Sequence, residues 1–354
     1  MKRQAAIVTL LTSAGMIAAC SSDGEDNYTL QYTTYSNSTS DQSKTVQRWA
    51  QEVEELTDGG VKVEFHYSQS LVGANEALEA TVDGRADLAQ VGSLYAASDL
   101  PMFTVVELPF ETQNPEAQMR AIKRLYENKG AFRENFDSEG VKLLYPLPLG
   151  SLVMGLNEPA KSPDELDGRS IRSNGLTSEA LLTVGANPTA MTANDIYESM
   201  ERGIIDGYSA LSVANLSTFG VSSITPYLIN PGIGVYASSI VVVNKELFES
   251  MPPGYQEAIE EASVKAISIG LEELDSAAQV ACSELKENDT QLSSFPQAEA
   301  SDWQKRTDLA SWWVNENEDK GYNAESVLRN YRSFIKEEEE SSSYEDPFNQ
   351  CMNS

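Results

Sequence analysis

The hydrophobic period of this chain switches repeatedly between two residues and about 3.6, and that alternation limits the fold more than any other feature. Residues 28–35 (YTLQYTTY) carry aromatic and β-branched side chains at strand spacing. From Asp41 the apolar residues Val46, Trp49, Ala50, Val53 and Leu56 recur at threes and fours, one helical stripe that Asp58-Gly59-Gly60 stops. Residues 61–67 alternate as a half-buried strand does. A short helix through Glu76, Leu78 and Val82 then ends at Asp83-Gly84, and residues 86–91 form the next strand. Strand, helix, strand, helix, strand in this order predicts an α/β lobe around a largely parallel sheet. In such sheets solutes sit beyond the carboxyl ends of the strands, so the loops after strands are where site residues are sought.

Further along, residues 102–110 are apolar, 116–128 read as a helix and 141–144 as a short strand. Pro146-Leu147-Pro148-Leu149-Gly150 marks a passage between two lobes. After the turn at 162–168, strand alternation in Arg169-Ser170-Ile171-Arg172 puts Ser170 and Arg172 on one face. Residues 194–202 are predicted helical, 204–208 a strand entering a loop, and 240–244 a fully buried strand. A long helical pattern over 256–287 has Gly270 as a candidate bend. Residues 337–354 open on four glutamates and three serines and are expected to form a loosely held tail.

The first twenty residues have the form of a lipoprotein export signal: Lys2 and Arg3, a mostly apolar run over 5–19, then Ile17-Ala18-Ala19-Cys20. The run is too short for a permanent membrane anchor, and the small residues before Cys20 suit cleavage there. Cys20 would become the acylated first residue, with a polar, acidic tether over 20–27. The formal charge is -29, or -31 once the two cations of the signal are removed. So acidic a surface repels polyanions, which makes nucleic acid an unsuitable partner, and it suits a saline habitat where salt screens self-repulsion. The other two cysteines, Cys282 and Cys351, form either a disulfide favoured by an oxidising compartment or two buried thiols.

Enzyme chemistry finds little support. The single histidine, His66, falls on the polar side of its strand and is expected to be exposed, so no nucleophile-histidine pair or HExxH zinc site can be built on it. Gly232-Ile233-Gly234 lacks the third glycine of a dinucleotide site, and no cofactor or metal is expected.

Several stretches, in order and spacing, carry a resemblance. They are Gln69-Ser70-Leu71-Val72-Gly73 with Asp83-Gly84-Arg85-Ala86-Asp87; Val106-Glu107-Leu108-Pro109-Phe110; Pro163-Asp164-Glu165-Leu166-Asp167-Gly168 through Arg172; Glu201-Arg202-Gly203-Ile204-Ile205-Asp206-Gly207; and Val243-Asn244-Lys245 with Met251-Pro252. Together they resemble the DctP-type solute-binding subunits of tripartite ATP-independent periplasmic (TRAP) transporters. The resemblance implies a type II-like periplasmic binding protein fold, two α/β lobes with crossing strands and a long lobe-spanning helix. It places the first lobe at 28–149 with 236–275 returning to it, and the second at 150–235 completed by 276–336. It also implies a small-solute ligand and delivery to a sodium-driven permease of two further subunits, which with the lipid on Cys20 gives a periplasmic, lipid-anchored location. The alternative from another class is a sensor that presents its bound solute to a chemoreceptor or kinase.

The same resemblance makes Arg172 the residue that grips a solute carboxylate, since arginine offers a planar, permanently charged fork. Many family members place a second arginine where this chain has Leu152, which would then line the pocket. The missing clamp favours a monocarboxylate. Loops after strands supply the further candidates Tyr35, Asn37, Ser93, Tyr95, Tyr208 and Tyr236, and Glu107 sits near the lobe crossing.

Overall fold

The computed structural model describes residues 27–353; the export signal, Cys20 and all of the tether but its last residue lie outside them. Strands β1 (Tyr28–Thr33), β2 (Val61–His66), β3 (Leu88–Gly92) and β4 (Val141–Leu147) belong to one sheet. Strands β5 (Val153–Leu156), β6 (Ser170–Arg172), β7 (Asn187–Thr189), β8 (Gly207–Leu211) and β9 (Tyr227–Asn230) belong to a second. The chain then returns to the first sheet with β10 (Ser239–Asn244) and to the second with β11 (Gln291–Ser294). The orders are β2-β1-β3-β10-β4 and β11-β9-β5-β8-β6-β7, each sheet being the centre of one lobe.

In the first lobe β1 is parallel to β2 and β3, as the early strand-helix rhythm dictates. The sheet is mixed rather than largely parallel, because β10 arrives from the other lobe and runs antiparallel to both β3 and β4. Its place between two strands buries Ile240, Val241, Val242 and Val243 completely, which accounts for the unbroken apolar run. The helix Asp41–Leu56 starts where the Ser40 hydroxyl accepts from Ser43 N at 3.1 Å, and its stripe Val46, Trp49 and Val53 is fully buried. It packs on the long helix Pro253–Glu287, where Trp49 Nε1 donates to Ser263 Oγ at 3.1 Å.

That long helix serves both lobes. Tyr255, Ile259, Ala262 and Ala266 enter the first-lobe core with Trp49, whereas Leu274, Ala278, Ala281 and Leu285 enter the second-lobe core with Tyr208 and Phe348. Gly270 falls between the two sets, and its reason is close approach. A Cβ there would lie 2.7 Å from Cδ of Pro148, in the passage that crosses between lobes. A second crossing runs alongside: Leu152 N donates to Gly234 O at 2.8 Å, and Ser151 bridges Val235.

Three expectations change. The strand expected at 204–208 is β8 at Gly207–Leu211, since Gly203-Ile204 turns the chain and only the following residues pair. The segment 337–354 is held rather than loose. Helix Ala324–Ser341 lies along Pro115–Glu127 of the first lobe, burying Val327, Tyr331 and Ile335, while Arg124 pairs with Glu337 and Glu338 at 2.7 and 2.9 Å. So the chain after 309 also does not simply complete the second lobe: Trp313 Nε1 donates to Thr104 Oγ1 at 2.7 Å on the first. At the end, Cys351 is bonded to Cys282 with Cα atoms 5.4 Å apart, and buried Asp346 accepts from Ser151 N at 2.7 Å. Acidic repulsion along the exposed face is outweighed by the apolar face and these partners.

Candidate functional site

Between the lobes lies a cavity of about 450 Å³, toward the small end of ligand sites. The first lobe contributes Tyr35, Ser36, Asp41, Gln42, Ser93 and Tyr95 to its wall, and the second contributes Arg172, Ala193, Ala210, Leu211, Asn215 and Phe219. Leu149 and Tyr236 enter from the crossing segments.

Arg172 ends the short strand β6 and is fully buried. Its Nε donates to Met191 O at 3.2 Å, and its Nη1 donates to both Ser209 O at 3.0 Å and Ala210 O at 3.1 Å. Successive carbonyls of a regular strand point to opposite sides. Here β8 carries an extra residue against β5 and Ala210 adopts φ 54°, and the bulge turns both carbonyls toward the guanidinium. A left-handed alanine is strained by about 1 kcal/mol or more, so the backbone is spending stability to hold this side chain. Carbonyl dipoles fix and partly compensate the charge, yet Arg172 makes no ion pair with any described residue, and Nη2 has no acceptor among them. A buried cation left in this state stabilises an anion placed beside it.

The facing wall carries a carboxyl that sequence reasoning missed. Asp41 is 1% exposed, and neither of its oxygens has a hydrogen-bond partner. Burial pushes its pKa up to about 7, against the amides of Gln42 and Asp41 itself and the charge of Lys44, which favour the ionised form; Glu273 adds to the rise. As the first residue after a Ser40 N-cap it reads in sequence as an ordinary solvated helix-start acid, yet it lines the cavity between the lobes. Beside it the Gln42 side chain accepts from Gln90 Nε2, while Gln42 Nε2 has no partner. Tyr35 OH lies 2.6 Å from Ser239 Oγ, and its ring meets that of Tyr95 edge-on at 5.3 Å. Burial holds the hydroxyls of Tyr35 and Tyr236 far above their usual pKa, so both stay neutral.

Of the nine residues proposed from sequence, Arg172, Tyr35, Ser93, Tyr95 and Tyr236 line this cavity. The other four do not. Asn37 sits at the rim, where Nδ2 donates to Thr218 O of the other lobe at 2.9 Å. Tyr208 pairs with Arg172 across the sheet but turns into the second-lobe core, where its OH lies 2.7 Å from Thr225 Oγ1 and Gly155 opposite leaves room for the ring. Leu152 is fully buried in the apolar core behind the crossing and does not reach the wall. Glu107 lies behind Ser93: its Oε2 accepts from Leu176 N at 3.2 Å, at the start of the second-lobe helix Gly175–Leu182, so it clasps lobe to lobe. Burial pushes Glu107 up to about 7, offset by the Leu176 amide and the Ser93 hydroxyl, and Gly175, at φ 57°, has no room for a Cβ beside it. His66, expected exposed, is half-buried with Nε2 2.7 Å from Gln31 Oε1 and is not among the residues that line the cavity.

Comparison with known proteins agrees with this architecture. The model of the DctP family, described as bacterial extracellular solute-binding protein, family 7, matches residues 32–311. A solute-binding protein of Chromohalobacter salexigens is 26% identical over 276 residues, covering 75% of this chain and 77% of the relative. The ectoine-binding periplasmic protein TeaA of Halomonas elongata is 22% identical over 292 residues, 81% of this chain and 83% of that protein. The crystal structure of a TRAP solute-binding protein from Rhodoferax ferrireducens, in complex with copurified benzoate, has the same fold, with a TM-score of 0.80 at 21% identity over 88% of this chain and 99% of the other. The chain therefore belongs to the DctP family, the family 7 bacterial extracellular solute-binding proteins of TRAP transporters.

Proposed function

We propose that this protein captures a small organic monocarboxylate between its lobes outside the cytoplasm and delivers it to a sodium-coupled TRAP permease, tethered to a membrane through lipid on Cys20. One observation carries the choice of solute: the cavity holds a single arginine, buried, oriented by three carbonyls and without a counter-ion. One cationic fork matches one carboxylate. The benzoate held by the Rhodoferax protein supports the reading, because it too is a monocarboxylate with an apolar remainder. Here the remainder would lie among Tyr35, Tyr95, Tyr236 and Phe219. Closure over the solute excludes water and strengthens each polar contact, and the lobe equilibrium shifts only by the solute's differential contacts with the closed form. The role is binding rather than catalysis.

The test is a thermal-shift screen of small organic acids followed by calorimetry on Arg172→Ala. Removing one member of a buried charge pair is expected to weaken acid binding by about 2 to 5 kcal/mol. A loss of less than tenfold would remove Arg172 from the recognition of the solute.

A further inference from the structure

We propose that the cavity is built for a zwitterionic monocarboxylate, with the solute's carboxylate on Arg172 and a protonated nitrogen on the carboxylate of Asp41. This rests on the monocarboxylate reading above and narrows it to acids that also carry a cationic amine or imine.

The geometry is that of two unmatched charges, one on each lobe. Arg172 and Asp41 both line the cavity and are both buried to within 1% exposure, yet they form no ion pair with each other or with any other described residue. Both Asp41 oxygens lack a hydrogen-bond partner. A carboxyl buried in that state is unfavourable unless it is protonated or meets a donor, and the protein supplies no donor of adequate geometry. A purely anionic solute would bring a second negative group into the same small space. A zwitterion instead supplies the missing partner to each wall, and the filled cavity becomes neutral. Asp41 stands in the first turn of the helix Asp41–Leu56, where the helix dipole favours the ionised form that such a solute requires. The aromatic residues Tyr35, Tyr95 and Tyr236 line the same cavity, and aromatic rings tolerate a cation as well as a hydrocarbon.

The test uses two isosteric pairs in which a ring CH₂ is exchanged for NH₂⁺: cyclopentanecarboxylate against proline, and cyclohexanecarboxylate against pipecolate. Binding of each to the purified full chain, to Asp41→Asn and to Arg172→Ala is measured by calorimetry, with melting temperatures confirming that the variants fold. The nitrogen-bearing member of a pair is expected to bind at least tenfold tighter to the native chain, Asp41→Asn to erase that preference, and Arg172→Ala to weaken both members. Carbocyclic acids that bind as tightly as their nitrogen counterparts, still depending on Arg172, would overturn the zwitterion assignment and leave the monocarboxylate reading standing. Binding indifferent to Arg172→Ala, or no binding by any of the four, would bring down the monocarboxylate reading itself.

A second measurement needs no variant to fold. Affinity for the nitrogen-bearing acid should rise as pH increases through about 7, where Asp41 loses its proton, and affinity for the carbocyclic acid should not. The groups facing Asp41 are Tyr35, Tyr236 and Arg172 around the cavity, Lys44 on its own helix and Glu273 on the long helix, with Glu107 titrating in the same range behind Ser93. A slope that persists unchanged in Asp41→Asn belongs to Glu107 and counts against the assignment.

Discussion

The two walls of the cavity are held by different means. The first-lobe wall stands on long, regular elements: the helix Asp41–Leu56 packs its buried stripe on the lobe-spanning helix, over a sheet with β10 at its interior. The second-lobe wall stands on short ones. Its cation ends a three-residue strand, leans on a bulge with a left-handed alanine, and is backed by a core that Phe348 and the Cys282–Cys351 bond close from behind. Regular packing suffices to position Asp41 because nothing holds its oxygens. Arg172 needs three carbonyls aimed at one guanidinium, which no regular strand provides. The contrast is between a wall that is rigid and unsatisfied and one that is irregular and presolvated.

Opening the disulfide should separate the walls most. Cys282 and Cys351 are 69 residues apart in sequence, and a bond closing a loop of that length stabilises by about 4 kcal/mol in the chain-entropy account. Cys351→Ser should show that loss in denaturant unfolding, with hydrogen exchange rising around Leu211, Leu285 and Phe348 before it rises around Trp49. Equal loosening of both lobes would erase the distinction.

A change of pH acts mainly from the first-lobe side. Asp41 and Glu107 both have folded pKa values near 7, above their ordinary values of 3.8 and 4.5, so the folded chain holds these protons more tightly than the unfolded one. Their contribution to stability without solute is therefore fully present at or below about pH 4, falls as pH rises toward 7, and levels beyond. The loss is at most on the order of 4 kcal/mol for Asp41 and about 3 kcal/mol for Glu107, less whatever opening of the cleft returns to water. Asp41→Asn should flatten the part due to the cavity. Glu107→Gln, which keeps an acceptor for the Leu176 amide, should flatten the part due to the clasp. If Asp41→Asn leaves the melting temperature equally dependent on pH, burial of the carboxyl is not what raises its pKa.

The rim should respond least. Asn37→Ala removes the bond to Thr218 O that joins the lobes at the edge of the cavity, and a single such bond contributes about 1 kcal/mol. Solute affinity should fall a few-fold, through a less populated closed form visible by small-angle scattering. A tenfold or greater loss would mean that Asn37 acts on the solute itself.

How much of this was legible beforehand follows from the range of each interaction. The early strands and helices were readable because each buries one face against its own lobe, which leaves a period in the sequence. The short strands β5, β7 and β9 left none, being either too brief or covered on both faces. The glutamate run at 337–340 looked like a repelled tail because Arg124, more than two hundred residues earlier, cannot be seen from it. Among site residues, Arg172 was found through the resemblance around it. Tyr208 was misplaced because the register of β8 starts later than its apolar residues suggest. Asp41 was passed over because a carboxylate after a serine N-cap is ordinary on any exposed helix.

The sequence by itself determined the α/β lobes, the order of their main strands along the chain, the family and the arginine proposed to hold an acid. Tertiary structure alone decided which residues share the cavity, that its cation rests on carbonyls turned inward by a bulge, and that a carboxyl stands unpartnered on the other lobe. The physical reason is that periodicity records burial within one element. Closure of one lobe over the other buries groups whose own elements carry no trace of it.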